Sequence, residues 1–270
     1  MAHPQIATFA RVADGNTPAI RKLEGQRTKL GRTMHGIAYD PVHDEFLVAQ
    51  PFAQAILVFR GGATGDAQPI RVIQGPLTQL EDPDKVEVDV VHNEIFVPED
   101  HKVLVFPRDA NGSVAPLRVL ESTGKTRWYG IGVDAVNNAL VLAGWDGPRE
   151  TNSFLHIFNR TDTGKVAPKA VIRGPKTGLK GTFGLRAYGP RGWILVTMNG
   201  PEMSFPYDGA FVGIWSVKDN GDVPPRWTIG GPNGMLKQPR GIDIDPKNKT
   251  VIISDKALNA VLTYHLPEMF

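Results

Sequence analysis

Two sets of recurrent positions carry side chains able to bind or react. His35, Asp84, Tyr129, Phe183 and Arg240 each stand at the head of a Gly-Ile-x-x-Asp-like segment or its variant. Gln50, Glu99, Gly144, Met198 and Asp255 each close a short apolar run that follows. An imidazole and carboxylates drawn from different segments suit a divalent metal, so His35, Glu99, His101 and Asp255 form a candidate ligand set. Calcium or zinc is the cofactor such a mix would take. No local ligand spacing such as His-x-x-x-His supports it. Aromatic residues suit stacking on sugars or other flat ligands, and Phe52, Trp128-Tyr129 and Trp145 lie in neighbouring loops. Other chemistries find no motif. The chain has no cysteine, no Gly-x-Ser-x-Gly elbow and no phosphate loop.

These positions recur because the chain is a repeat. Phe59, Phe106, Phe158 and Trp215 are each followed ten residues later by Pro69, Pro116, Pro168 and Pro225. An apolar run such as Ile70-Arg71-Val72-Ile73 comes next. A fifth copy, one residue shorter, runs from Phe9 to Pro18. A glycine sits midway in every copy, at Gly15, Gly65, Gly112, Gly164 and Gly221. A second unit alternates with the first. It reads Gly36-Ile37-Ala38-Tyr39-Asp40, and recurs at Val86–Asp89, Gly130–Asp134, Gly184–Tyr188 and Gly241–Asp245. A polar turn and an apolar run follow each time, as in Phe46-Leu47-Val48.

Each repeat therefore holds four short strand signals, a to d, bounded by Gly, Pro, Asn and Asp. No segment has ten residues of helical periodicity. Four-stranded repeats of this length predict an all-β β-propeller over residues 1–270 as one domain, with antiparallel blades. The continuous apolar b runs fit strands buried on both faces. The Asp ending strand a is expected to accept backbone N–H bonds in the a–b turn. Arg21, Arg71 and Arg118 recur on strand d and are expected to be solvated. The chain starts with c and d and ends with a, b and c. Joining those ends in one blade hides both edges. This gives five blades, with six the alternative.

The run Pro239-Arg240-Gly241-Ile242-Asp243-Ile244-Asp245, followed by Val251-Ile252-Ile253-Ser254-Asp255, resembles the NHL repeat of β-propellers. The resemblance covers nearly the whole chain as a pattern. It implies the propeller fold, usually with six blades. It implies no single activity, because the family includes protein-binding and RNA-binding modules and related propellers include lactonases and lyases.

In a propeller the d–a and b–c loops share one face around a central channel. Two b–c loops are long: Gly144 to Glu150, and Asn199 to Gly209 with Phe205, Pro206, Tyr207 and Asp208. Insertions on one face of a repeat protein mark its binding side. The expected ligand positions are therefore His35, Gln50, Asp84, Glu99, Tyr129, Trp145, Phe183, Arg240 and Asp255. The leading expectation is a binding module for a small molecule, a glycan or a protein. The alternative is a metal-assisted hydrolase, lactonase or lyase at the same place. Net charge is +2, which gives no reason to expect nucleic acid as a partner. No apolar run approaches the roughly 18 residues of a membrane span. The N-terminus has no charged-then-apolar signal pattern.

Overall fold

The computed structural model describes residues 4–149, 151–199, 209–231 and 233–270. They fall into two compact units, one made of the described residues up to 99 with 103–119, the other of 100–102 with the described residues from 120 onward. Among the described residues there is no α-helix, only strands and four single 3-10 turns. None is a helix long and apolar enough to cross a membrane.

The first unit opens with β1 (Gln5–Thr8) paired to β2 (Arg21–Glu24). Next comes a complete blade of β3 (Ile37–Asp40), β4 (Glu45–Gln50), β5 (Ala55–Arg60) and β6 (Arg71–Gln74), each antiparallel to its neighbour. A second blade holds β7 (Glu87–Asp89), β8 (Glu94–Glu99), β9 (Lys102–Pro107) and β10 (Arg118–Glu121). The boundary between units runs through β10.

The second unit continues with β11 (Arg127–Asp134), β12 (Ala139–Trp145), β13 (Ser153–Asn159), the two-residue β14 (Gly164–Lys165) and β15 (Ala170–Ile172). A fourth blade holds β16 (Thr182–Tyr188), β17 (Trp193–Met198), β18 (Phe211–Ser216) and β19 (Trp227–Gly230). A three-stranded sheet ends the chain: β20 (Pro239–Asp245), β21 (Thr250–Asp255) and β22 (Ala260–His265). Four blades carry strands a to d and the last carries a to c, so by class the fold is a five-bladed β-propeller. Pairing of the two chain ends, and a single domain over residues 1–270, concern both units together and stay proposals.

The apolar strand-b and strand-c runs form the cores. β4 is buried along its whole length, as are β8 and β12 except at one end. In the first unit Val58, Ile73, Ile95, Val97, Leu104 and Phe106 pack as one cluster. In the second, Val141, Leu155, Ile157, Ile194, Val196 and Trp215 do the same.

The midway glycines have a specific task. Gly65 N–H donates to the Lys22 carbonyl at 2.7 Å, and Glu24 N–H donates back to the Gly65 carbonyl at 2.9 Å. Gly112 repeats this with Val72 and Gln74, and Gly221 with Val171 and Arg173. Gly164 pairs in parallel with Leu120. The c–d turns at Gly65, Gly112, Gly164 and Gly221 thus stitch their blades to the outer strand of the preceding sheet. The turn needs positive φ (59° at Gly65, 67° at Gly164), where a side chain is disfavoured. That backbone demand, and not ligand contact, explains the recurrence.

The Asp closing strand a behaves as the sequence predicts. Asp40 Oδ1 accepts from Val42 and His43 N–H, and Asp89 Oδ1 from Val91 and His92 N–H. Asp134 and Asp245 do the same in the second unit. The strand-d arginines correct an expectation. Arg71 is not solvated but forms a two-pronged pair with Glu45 at 3.0 and 2.6 Å, and Arg118 forms one with Glu94. The Arg71 guanidinium holds the Glu45 carboxyl below its usual range, against the opposing effect of burial. At Arg71 and Arg118 the recurrent residue thus forms an inter-strand ion pair on the blade, where planar fork meets carboxylate.

Candidate functional site

In the second unit, three successive a strands begin with a β-bulge. Along β11, Trp128 pairs with Gly144 and Gly130 with Ala143, which leaves Tyr129 as the extra residue. Along β20, Pro239 pairs with Asp255 and Gly241 with Ser254, which leaves Arg240. Along β16 the register slips between Thr182 and Leu185, across Phe183 and Gly184. A bulge inserts one residue, bends the strand and re-aims a side chain. Here it re-aims the three residues that stand at the head of strand a. Each is followed by glycine. At Gly184 the reason is steric, because a Cβ there would sit 2.4 Å from the Arg240 carbonyl oxygen. Without a side chain, β16 and β20 approach closely enough for Arg240 to reach Phe183.

The re-aimed residues meet. Tyr129 packs edge-on to Phe183, with ring centroids 5.7 Å apart, and lies 6.1 Å from Trp145 at the end of β12. Arg149 is the hub. Its guanidinium carbon lies 3.7 Å from the Phe183 centroid, 4.6 Å from Trp145 and 5.6 Å from Tyr129. Its Nη2 donates to the Thr182 carbonyl at 2.6 Å. The Arg240 guanidinium carbon sits 3.5 Å from the same Phe183 centroid. Phe183 is 3% exposed, whereas Tyr129, Trp145, Arg149 and Arg240 are half-buried. Cation–ring contacts of this kind contribute about 0.5–2 kcal/mol each. They hold two like charges no more than about 7 Å apart, a repulsion of roughly 2 kcal/mol at an effective dielectric near 20.

The matching positions of the first unit have different chemistry. β3 pairs with β4, and β7 with β8, without a register shift. His35 Nδ1 faces Asp84 Oδ1 in a short hydrogen bond, and the Lys85 ammonium donates to the His35 carbonyl at 2.9 Å. His35 remains half exposed at its side chain, 52%. Gln50 Oε1 accepts from Gly31 N–H at 2.9 Å. Glu99 accepts from Glu81 N–H at 3.0 Å and from Asp82 N–H at 2.8 Å. Asp255, in the second unit, repeats the arrangement with Lys237 and Gln238 N–H, and its other oxygen accepts from Ala257 and Leu258 N–H. All three are buried. A polar residue ending strand b thus holds the backbone of the loop that enters strand a.

That role was not read from the sequence, which gives Glu99 and Asp255 as candidate metal ligands and ligand positions. His101 lies in the exposed turn between β8 and β9, with its carbonyl accepting from Ser122 N–H at 2.8 Å. Among the described residues, no three His, Asp or Glu side chains gather in a way that would hold a metal ion. Phe52 is exposed. Glu150, Phe205, Pro206, Tyr207 and Asp208 lie outside the described residues. Arg149 was visible only as part of a long loop. Its signal was an arginine inside an insertion beside aromatic residues.

Below Tyr129, Trp128 turns to the other face of β11. Its Nε1 donates to His156 Nδ1 at 3.3 Å, and Phe154 stacks on the imidazole at 3.9 Å. Burial pushes the His156 pKa down to about 4; the nearby Asp146 opposes this and Arg173 adds to it.

Compared with known proteins, the chain matches no family model and no curated protein sequence.

Proposed function

We propose that this propeller is a binding module for a small molecule, a glycan or a protein, and that the ligand seats where Tyr129, Trp145, Phe183 and Arg240 meet. One observation carries the reading: three consecutive bulges re-aim Tyr129, Phe183 and Arg240 into one cluster with Trp145 and Arg149. Packing alone does not call for an irregularity at the same place in three strands, and bulges concentrate beside functional sites. His35 and Asp84 are the first unit's ligand-facing candidates. Gln50, Glu99 and Asp255 act one step back, by fixing the loops. The NHL-like pattern around Arg240 and Asp255 supports that repeat type as the finer reading of the fold. The test is a thermal-shift screen of glycans and small molecules against the wild type, Trp145→Leu and Arg240→Gln. Hits that stabilise the wild type and are lost in both variants support the site. Hits unaffected by either variant overturn it.

A second reading, hydrolysis or lyase chemistry, is favoured by the His35 and Asp84 pair. A carboxylate on Nδ1 orients the ring and leaves Nε2 as the acid–base atom. Ester or lactone turnover lost in both His35→Ala and Asp84→Asn, with binding retained, would establish it. Turnover unchanged by either would remove it.

A further inference from the structure

We infer that His156 is an acid switch on the aromatic–arginine cluster: protonating its ring releases Trp128 and, through the head of β11, disturbs Tyr129 and Trp145. That the switch regulates binding rests on the cluster being the ligand site. The geometry is that of an obligate donor facing an acceptor. Trp128 Nε1 carries a hydrogen and can only donate, so His156 Nδ1 must accept. This fixes the neutral tautomer with its hydrogen on Nε2. A protonated imidazole carries hydrogen on both nitrogens, and the indole would then face a second donor. The contact has no protonated form.

The surroundings offer the charge little else. Phe154 stacks on the imidazole at 3.9 Å, and Trp128 and Phe158 meet it edge-on at 6.3 and 6.0 Å. A phenyl face favours a cation, but the loss of water outweighs it, and the pKa falls to about 4. Two charged groups act on the ring: Asp146, which follows β12, and Arg173, which follows β15. They pair with each other at 2.6 and 2.8 Å, so the carboxylate that would attract an imidazolium comes with a guanidinium that repels it.

The coupling runs through two consecutive residues. Trp128 is 3% exposed and packs edge-on to Phe158 at 5.5 Å, so its indole has no room to step aside alone. Its neighbour Tyr129 is the bulged residue that meets Phe183 and Trp145, and Arg127 on its other side pairs with Trp145. The indole–imidazole bond and the Trp128 N–H bond to the Asp100 carbonyl, at 2.7 Å, both tie this strand head down. Acid removes the first tie.

The experiment follows the indole N–H signals of the nitrogen-15-labelled full chain by NMR as pH falls from neutral toward 4. Trp128 and Trp145 should shift together, along the curve on which the His156 ring itself titrates. Trp193 and Trp215, whose indoles donate to the Met269 and Val223 carbonyls, should stay in place. His156→Asn keeps an acceptor near Nδ1 and cannot titrate, so Trp128 and Trp145 should hold their neutral positions. If that variant fails to fold, Trp128→Phe removes the donor instead: His156 should then titrate higher, and Trp145 should no longer follow it. A Trp145 shift that persists in either variant would overturn the switch, as would a Trp145 signal that stays put while His156 titrates in the wild type. All four indoles moving together would mean acid unfolding of the fold and would overturn it too. No ligand enters the measurement, so its failure leaves the binding function standing, and failure of the ligand screen leaves the switch standing.

Discussion

At equivalent strand ends the two units have reached different solutions. In the first, strands β3 and β7 are three or four residues long and regular, and the neighbouring polar residues, Gln50 and Glu99, are used up in holding loop backbone. In the second, β11, β16 and β20 are seven or eight residues long and bulged, and their heads hold rings and guanidinium groups in mutual contact. One repeat scaffold therefore serves two purposes. Where the strand stays in register, the position contributes stability. Where a bulge breaks the register, the side chain leaves the ladder and, on the function proposed above, faces the ligand. Asp255 adds a refinement, since it anchors a loop in the second unit directly opposite the bulge at Arg240.

The incomplete sheets offer the largest test. Of the outer strands, β2 carries Arg21, Lys22 and Glu24 and β6 carries Arg71, whereas β15 and β19 carry no charged residue. β22, Ala-Val-Leu-Thr-Tyr-His, has no Lys, Arg, Asp or Glu. β22 also closes a three-stranded sheet where the complete blades hold four strands, and a further strand covering that edge is what the proposed pairing of the chain's ends would supply. Deleting residues 1–25 removes two strands and should then lower the melting temperature by at least about 10–20 °C, the shift expected for about 5 kcal/mol or more in a protein of this size. Melting alone does not isolate the pairing, because Leu23 also packs in the first unit's core. Amide exchange in β22 does. Protection lost at residues 260–265 on deletion supports pairing, and unchanged protection refutes it.

Next in size are two truncations that probe the comparison directly. Phe183→Ala removes the floor of the cluster and should cost about 3–5 kcal/mol, the usual range for a buried phenylalanine. Phe183→Leu should restore much of that stability but none of the ring–cation stacking. Glu99→Ala strips the acceptor from two backbone N–H groups at hydrogen bonds to a charged group, and should cost about 2–4 kcal/mol. Urea unfolding measures both. If the comparison holds, Glu99→Ala weakens the protein and leaves binding at the second unit's cluster unchanged.

The blades were legible because their causes are local. Phe59-to-Pro69 spacing, the Gly65-type turns and Asp40-type caps each follow from backbone demands that a sequence displays directly. The bulges were not legible. A residue such as Tyr129 before Gly130 reads the same whether it pairs or is inserted, and only the opposite strand decides. The two-pronged Arg71–Glu45 pair was hidden for a related reason: its partners are 26 residues apart and meet only through the register of β4, β5 and β6. The cluster's four predicted members were found as a list, not as contacts. Its hub, Arg149, lies in a loop where no periodicity operates.

His156 gives a pH test of the second unit alone. Its folded pKa of about 4 lies below the ordinary 6.5, because burial disfavours the charged ring. The fold therefore favours the neutral form. Stability from this group is fully present above pH 6.5 and falls as pH drops toward 4. The total loss is roughly 3 kcal/mol, at 1.36 kcal/mol per pKa unit. His156→Phe should flatten the stability profile between pH 6.5 and 4. A profile in the variant as steep as in the wild type would assign the acid sensitivity to other groups.

The smallest effect expected is at Gln50, and it sharpens the comparison most finely. Gln50 occupies in β4 the place of Glu99 in β8, but it holds one N–H, that of Gly31, where Glu99 holds two. Its amide is neutral, so the bond is the weaker kind, and Gln50→Ala should cost only about 1 kcal/mol. Gly31 fits closely here: a Cβ on it would stand 2.4 Å from Gln50 Oε1. Gly31→Ala should therefore force the loop off its acceptor and cost at least as much as Gln50→Ala. Because both changes break the same contact, the double variant should lose little more than the worse of the two singles. Additive losses in urea unfolding would mean that Gln50 and Gly31 act independently, and the strand-end residue would then not be what holds the loop.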